Sequence, residues 1–250
     1  MKIRHFYHVF ADGGWTDAVA EHAEALGRAG WKNPVTVGLV GPEEDRFRAR
    51  ERITARFRRE GVPEPDTWTE ADAGFEQVTL TALHEYAISR RTEEAVCYAH
   101  TKGAFSNSPI NEHWRRSMTR HAIGGWMRCY LLVQSGYDTA GCHWLTPARH
   151  HDPPTYPVTT PMYGGNFWWA RTGYLKRLPP PGNDYRHQAE EWIGLGNPRA
   201  FDLLPGWPSM KLFAPEEEAK VKAEGARTAF IEDLATQVRQ NGMPAKRKTR

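Results

Sequence analysis

The sequence is poor in cysteine and has no long apolar run. Only Cys97, Cys129 and Cys142 occur in 250 residues. Their odd number and wide spacing argue against a disulfide framework and against a zinc ribbon. A reduced, cytosolic compartment is the expectation that follows. No stretch approaches the roughly 18 consecutive apolar residues of a membrane span. The start, Met1-Lys2-Ile3-Arg4-His5, leads into no apolar segment of the secretory kind, so no signal peptide is expected. Gly13-Gly14 lacks the GxGxxG spacing of a dinucleotide fold, HExxH is missing, and no internal repeat is visible. Nor does one charge dominate: 33 Lys and Arg against 30 Asp and Glu leave +3. That balance is not the profile of a dedicated nucleic-acid binder.

Apolar residues make up 40% of the chain, enough for a substantial core, and ten of the residues are Trp. The pattern alternates strands with helices. Residues 2–10 read as a strand, 16–29 as a helix with Thr16 as its cap, and 34–41 as a second strand. Strand, helix, strand is the signature of a parallel layer. Residues 43–59 read as a charged helix, acids first and arginines last, which suits the helix dipole. A short strand within 61–69 and a helix over 73–89 follow, then the run Ala95 to Gly103. A long helix is expected from Asn111 to about Val133, weakened at Gly124-Gly125. Short helices are expected at 172–178 and 184–195, and 201–213 reads as strand-like. Residues 214–244 read as a helical extension and 245–250 as a basic disordered tail. One α/β domain over 1–213, with a mostly parallel central sheet and flanking helices, is the expected fold.

The run Ala-Val-Cys-Tyr-Ala-His-Thr-Lys-Gly at 95–103 is the most informative stretch. Its apolar part reads as a buried parallel strand. Its polar part then falls at the strand's carboxyl end, where open α/β sheets bind ligands. Lys102 can supply point charge to a phosphate and Gly103 close backbone approach. An ordinary polar turn would look the same locally. His8 and Asp12 stand at the end of the first strand, where Gly13-Gly14 is either a plain turn or a place for a nucleotide. Tyr163 to Ala170 adds Gly165 and Asn166 beside Phe167, Trp168 and Trp169, rings of the kind that stack on sugars. Phe167 and Trp169 fall on one face of this strand, Asn166 and Trp168 on the other. Glu190 and Glu191, early in a short helix, are general-base candidates or solvated acids. His150-His151-Asp152 suggests a metal triplet, but adjacent histidines on an extended segment point apart.

Four features in order, the strand end His8-Val9-Phe10 with Trp15, the element Tyr98 to Gly103, Gly165 to Ala170, and Ala189 to Ile193, make the chain similar to a family of bacterial and phage GT-A-type glycosyltransferase-like proteins. The resemblance implies a nucleotide-sugar donor held by His8, Asp12, His100, Thr101, Lys102, Gly103 and Asp138. It implies acceptor and sugar contacts from Gly165, Asn166, Trp168 and Trp169, and an acid, Glu190 or Glu191, as base. The acceptor would be a glycan, a protein or a hydroxymethylated DNA base. Such enzymes carry an Asp-X-Asp metal motif. His100-Thr101-Lys102 stands at that place here, and Asp138-Thr139-Ala140 lacks the second acid. A divalent metal is therefore not implied by motif, and Lys102 with His100 would neutralise the leaving diphosphate. The rival expectation is a non-catalytic nucleic-acid-binding module that uses the arginines of 46–59 and the basic tail.

Overall fold

The computed structural model describes residues 1–104, 109–147, 158–185 and 187–204. The expected tail at 214–250 and the His150-His151-Asp152 triplet lie outside the described residues. The chain runs β1 (Ile3–Phe10), α1 (Trp15–Arg28), β2 (Val35–Val40), α2 (Glu43–Arg59), β3 (Thr67–Ala71), α3 (Gln77–Ser89) and β4 (Ala95–His100). It continues through α4 (Pro109–Met118), a π-helical stretch (Thr119–Gly124), α5 (Trp126–Gln134), β5 (Thr139–Gly141), β6 (Trp144–Leu145), β7 (Met162–Tyr163) and β8 (Trp168–Arg171). Last come α6 (Thr172–Leu175), α7 (Gln188–Glu191), a 3-10 turn (Trp192–Gly194) and β9 (Ala200–Asp202).

Seven strands form one sheet in the order β3-β2-β1-β4-β8-β5-β9, and β6 pairs with β7 beside it. β1 is parallel to β2 and β4, β2 to β3, and β5 to β9; only β8 runs against its neighbours. This is a mixed α/β fold with a mostly parallel central sheet and flanking helices, as the strand–helix alternation implies. β2 and β4 are buried at every position, as strands covered on both faces must be.

The connections explain the layers. From β1 the chain steps outward through α1 and α2 to β3, then returns through α3 to β4 on the other side of β1. Right-handed crossovers in opposite directions put their helices on opposite faces. Accordingly α1, α2 and α5 pack on one face, with Val19, Leu26, Ile53, Phe57, Leu132 and Val133 against Tyr7, Val37 and Trp169. On the other face α3 and the 170–193 segment put Leu80, Leu83, Tyr174 and Trp192 against Phe6, Tyr98 and Trp168. Each large apolar side chain so buried contributes on the order of 2 kcal/mol.

Boundaries differ from expectation for local reasons. α1 begins at Trp15 behind Gly14, and no side chain caps it, so Thr16 is inside the helix. α3 starts later than expected because Gly74 has φ +137°, which no helix admits. The long helix of 111–133 is interrupted by the π-helical stretch, close to the weak point at Gly124-Gly125. The arginines of α2 are paired within the chain. Arg46 reaches Asp72 and Glu70, Arg50 reaches Glu70, Arg56 reaches Glu60 and Arg58 reaches Glu64. A free basic ladder for phosphates is therefore not what this helix presents.

Under the sheet, His5 and His22 meet at 2.7 Å through their Nε2 atoms. His5 Nδ1 faces the Cys97 carbonyl at 3.1 Å and must donate, so its Nε2 accepts from His22. Burial lowers His5 to about 4 and holds His22 well below its ordinary value. Burial likewise takes His8 to about 4 and His143 to about 3. Such groups contribute stability that is complete above about pH 6.5 and is lost as pH falls through their folded values. Each ring should cost on the order of 1 kcal/mol per pH unit in that window. Glu76, raised by burial, acts in the reverse sense, one carboxyl against four imidazoles. The urea midpoint should therefore drop steadily between about pH 6.5 and about pH 4; a flat or rising midpoint there contradicts this account.

Candidate functional site

The sheet order reverses at β1, and the carboxyl ends of β1 and β4 part there to leave a crevice. His8 and His100 are register partners on these strands and share a face. The two strand ends are tied together: Thr101 N–H donates to the His8 carbonyl at 3.0 Å, and Phe10 N–H to Thr101 Oγ1 at 3.2 Å. The crevice opens into a cleft of about 580 Å³, within the range of small-molecule sites. His8, Phe10 and Asp12 line it from β1, His100 to Ala104 from β4, Phe75 and Glu76 from the start of α3, Asn111 from α4 and Glu190 from α7.

Two charge pairs organise it. Lys102 Nζ lies 3.2 Å from Glu190 Oε1 and 4.4 Å from the centre of the Trp114 ring. Burial alone would raise the Glu190 carboxyl; the Lys102 charge, a hydrogen bond from His187 and the nearby His100 outweigh it and hold the group at about 2. The second pair is His100 Nδ1 with Glu76 Oε1 at 3.1 Å. Glu76 Oε2 accepts from Tyr98 Oη at 2.9 Å and from Asn166 Nδ2 at 2.6 Å. Burial, then the Glu190 charge, raise the Glu76 carboxyl against the pull of His8 and Lys102. His100 Nε2 is 2.9 Å from the Gly165 carbonyl.

Backbone freedom makes the close approaches possible. Gly103 has φ +70°, and a Cβ there would come within 2.5 Å of Asn111. Gly165 has φ +85° and backs on Met118. Lys102 is held from behind by Arg115, whose Nη1 donates to the Lys102 carbonyl at 3.2 Å and whose Nη2 pairs with Glu21 at 3.2 Å.

His8, Asp12, His100, Thr101, Lys102, Gly103 and Glu190 thus come together as expected. The others do not. Asp138 binds Arg171 and the Arg199 N–H. Arg171 pairs with Ala95, the first residue of β4, so Asp138 sits at the opposite edge of the sheet. Trp168 and Trp169 have no exposed surface. Trp169 donates to the Ala122 carbonyl and packs with Trp31 and Trp126, and Trp168 stacks on Tyr98. Neither indole can lie against a sugar; β8 is central and covered on both faces. Asn166, also fully buried, spends its amide on Glu76 and the Trp168 indole N–H. Gly165 serves through its carbonyl on His100. Glu191 turns away from the cleft to Thr159 and Tyr185. The cleft is also less basic than the sequence suggests, because Asp12, Glu76 and Glu190 offset Lys102 and the histidines. Among the described residues no group of three His, Cys, Asp or Glu is arranged to hold a metal ion.

Glu76, Phe75 and Phe10 were not singled out by the sequence. The available signal was topological: α3 follows a parallel strand, so its first residues stand at the same edge as Lys102.

The family model described as "Domain of unknown function (DUF8361)" matches residues 6–224. The chain belongs to this family. The matched span of the DUF8361 family takes in every cleft residue from His8 to Glu190. No curated protein matches the chain. Among solved structures, that of S. aureus TarS 1–349 is similar at 11% identity and a TM-score of 0.40, over 77% of this chain and 54% of that one. The chain thus spans about half the length of that structure. Among the described residues no helix is long and apolar enough to cross a membrane.

His8 owes its position to a glycine. Its Nδ1 lies 2.8 Å from Thr79 Oγ1, and Thr79 reaches the sheet over Gly38, the register partner of His8. A Cβ at Gly38 would fall 1.7 Å from Thr79 Oγ1. Gly38→Ala should cost about 1–3 kcal/mol by overpacking and break the His8–Thr79 bond. Urea denaturation and the His8 ring signals in NMR check both; unchanged His8 signals would contradict the arrangement.

Proposed function

We propose that this protein is a glycosyltransferase and that the cleft at the carboxyl ends of β1 and β4 takes its nucleotide-sugar donor. The observation that carries the reading is the convergence, at the sheet's switch point, of Lys102 and Glu190 beside His8 and His100 in one cleft. Ligands of open α/β sheets occupy that place. A diphosphate there meets the ammonium of Lys102, and close backbone approach at Gly103 assists it. The exposed ring of Phe75 and the ring of Phe10 offer the stacking surface first sought in Trp168 and Trp169.

The chemistry of this reading is a single displacement. The acceptor hydroxyl oxygen bonds to the anomeric carbon as the bond to the diphosphate oxygen breaks. The hydroxyl proton passes to Glu190, and Lys102 takes the charge that develops on the departing diphosphate. While Lys102 pairs with it, Glu190 is a weak base. An incoming diphosphate competes for Lys102, and as that partner turns away the Glu190 carboxylate gains basicity. The acceptor class in this reading is a glycan, a protein or a hydroxymethylated DNA base. The rival reading, a nucleic-acid-binding module without catalysis, is weakened by the internal ion pairs of α2.

A thermal-shift panel of nucleotide sugars, with and without manganese, should give stabilisation by at least one donor. Turnover of that donor should fall on the order of a hundredfold in Glu190→Gln, with a comparable fall in Lys102→Ala. Undiminished turnover in both variants removes these residues from the mechanism. Salt-sensitive DNA binding with no donor effect favours the rival.

A further inference from the structure

The contacts of His100 fix a proton count. The Gly165 carbonyl can only accept, so His100 Nε2 carries a hydrogen. The other ring nitrogen then faces Glu76 Oε1 at 3.1 Å. A neutral ring already protonated at Nε2 has a lone pair at Nδ1, and a carboxylate oxygen has only lone pairs. The contact is attractive only if one more proton lies between them, on nitrogen as an imidazolium–carboxylate pair or on oxygen as a carboxylic acid.

We propose that Glu76 is a positioning residue that holds one proton in common with His100, and that this proton keeps the floor of the cleft neutral so that a diphosphate can enter. The second half rests on the donor-site reading above; the first does not.

The surroundings support it. Tyr98 of β4 and Asn166 both donate to Glu76 Oε2, which fixes the carboxyl plane and leaves Oε1 turned to His100. The other ionisable groups facing the pair are His8 of β1, Asp12 after it, Lys102 after β4 and Glu190 of α7. Lys102 and Glu190 compensate each other. His8, pushed down to about 4 by burial, is neutral at ordinary pH. Asp12, exposed at the rim, accepts from the Gly13 N–H. The charge on the cleft floor is therefore set by the Glu76–His100 pair: zero with its proton, one negative charge without it. Loss of that charge balance works directly against an anion.

Glu76→Gln makes the test clean. A glutamine amide can donate to His100 Nδ1 while its oxygen accepts from Tyr98 and Asn166, so the hydrogen-bond pattern survives and the titratable proton does not. Removing the side chain as alanine would leave buried partners unsatisfied and confuse folding with function. Two measurements follow. In the first, the ring nitrogens of His100 are titrated by 15N NMR without ligand. The wild type should show a transition at Nδ1 that is missing in Glu76→Gln; a wild-type Nδ1 with a bare lone pair across the whole pH range overturns the shared proton. In the second, UDP and pyrophosphate binding is measured against pH by calorimetry. Wild-type affinity should weaken by up to about tenfold per pH unit above the transition, and the slope should flatten in Glu76→Gln. Equal slopes in the two proteins overturn the link to anion binding. Absence of binding to either protein at every pH overturns the donor-site reading, while the ring titration still decides the proton.

Discussion

The pairing of β1 with β4 is the constraint on which the site depends. The chain leaves β1 in one direction and can reach β4 only after returning past it from β3. With right-handed crossovers, that path obliges α1 and α3 to take opposite faces. Their loops then diverge at the carboxyl ends of the two strands. His8 and His100, side by side in register there, sit at the floor of the resulting cleft. Glu76 arrives because it precedes α3, and Lys102 because it follows β4. Glu190 is brought across from the last helix by its ion pair with Lys102.

Behind the cleft lies a shell of groups with no access to a ligand. Asn166 holds Glu76 and receives the Trp168 indole N–H; Gly165 holds His100; Arg115 holds the Lys102 carbonyl. The β8 segment is thus part of the site through its backbone and amide, while its aromatic rings belong to the core. A strand rich in tryptophan reads the same from sequence whether its rings meet a sugar or each other. Here both faces of the sheet are covered by helices, and the rings meet each other.

Much of the sheet was legible because alternating strands and helices leave a strong apolar pattern, as in Val35–Val40 and Ala95–His100. The cleft residues on β1 and β4 were legible for the same reason: polar groups directly after a buried parallel strand fall at the ligand edge. Asp138 was misplaced because it precedes its strand instead of following it, and β5 runs in the same direction as β4. Glu76 was missed because nothing local marks an acid at a helix start as a partner for a histidine on another strand. That relation is made by the crossover, not by spacing. The short α6 and α7 were overestimated in length because the surrounding prolines and glycines fix their ends through tertiary contacts such as Gly194 against the Pro161 carbonyl.

The π-helical stretch at Thr119–Gly124 has a consequence for how this chain can vary. A widened turn takes one more residue than a regular one, and it leaves the Ala122 carbonyl to receive the Trp169 indole N–H. Deleting a single residue there would restore a regular helix and rotate everything after it by about 100°. Cys129, Leu132 and Val133 would swing off the sheet, and polar neighbours would swing in. In this part of the fold, chain length is as strictly set as residue type.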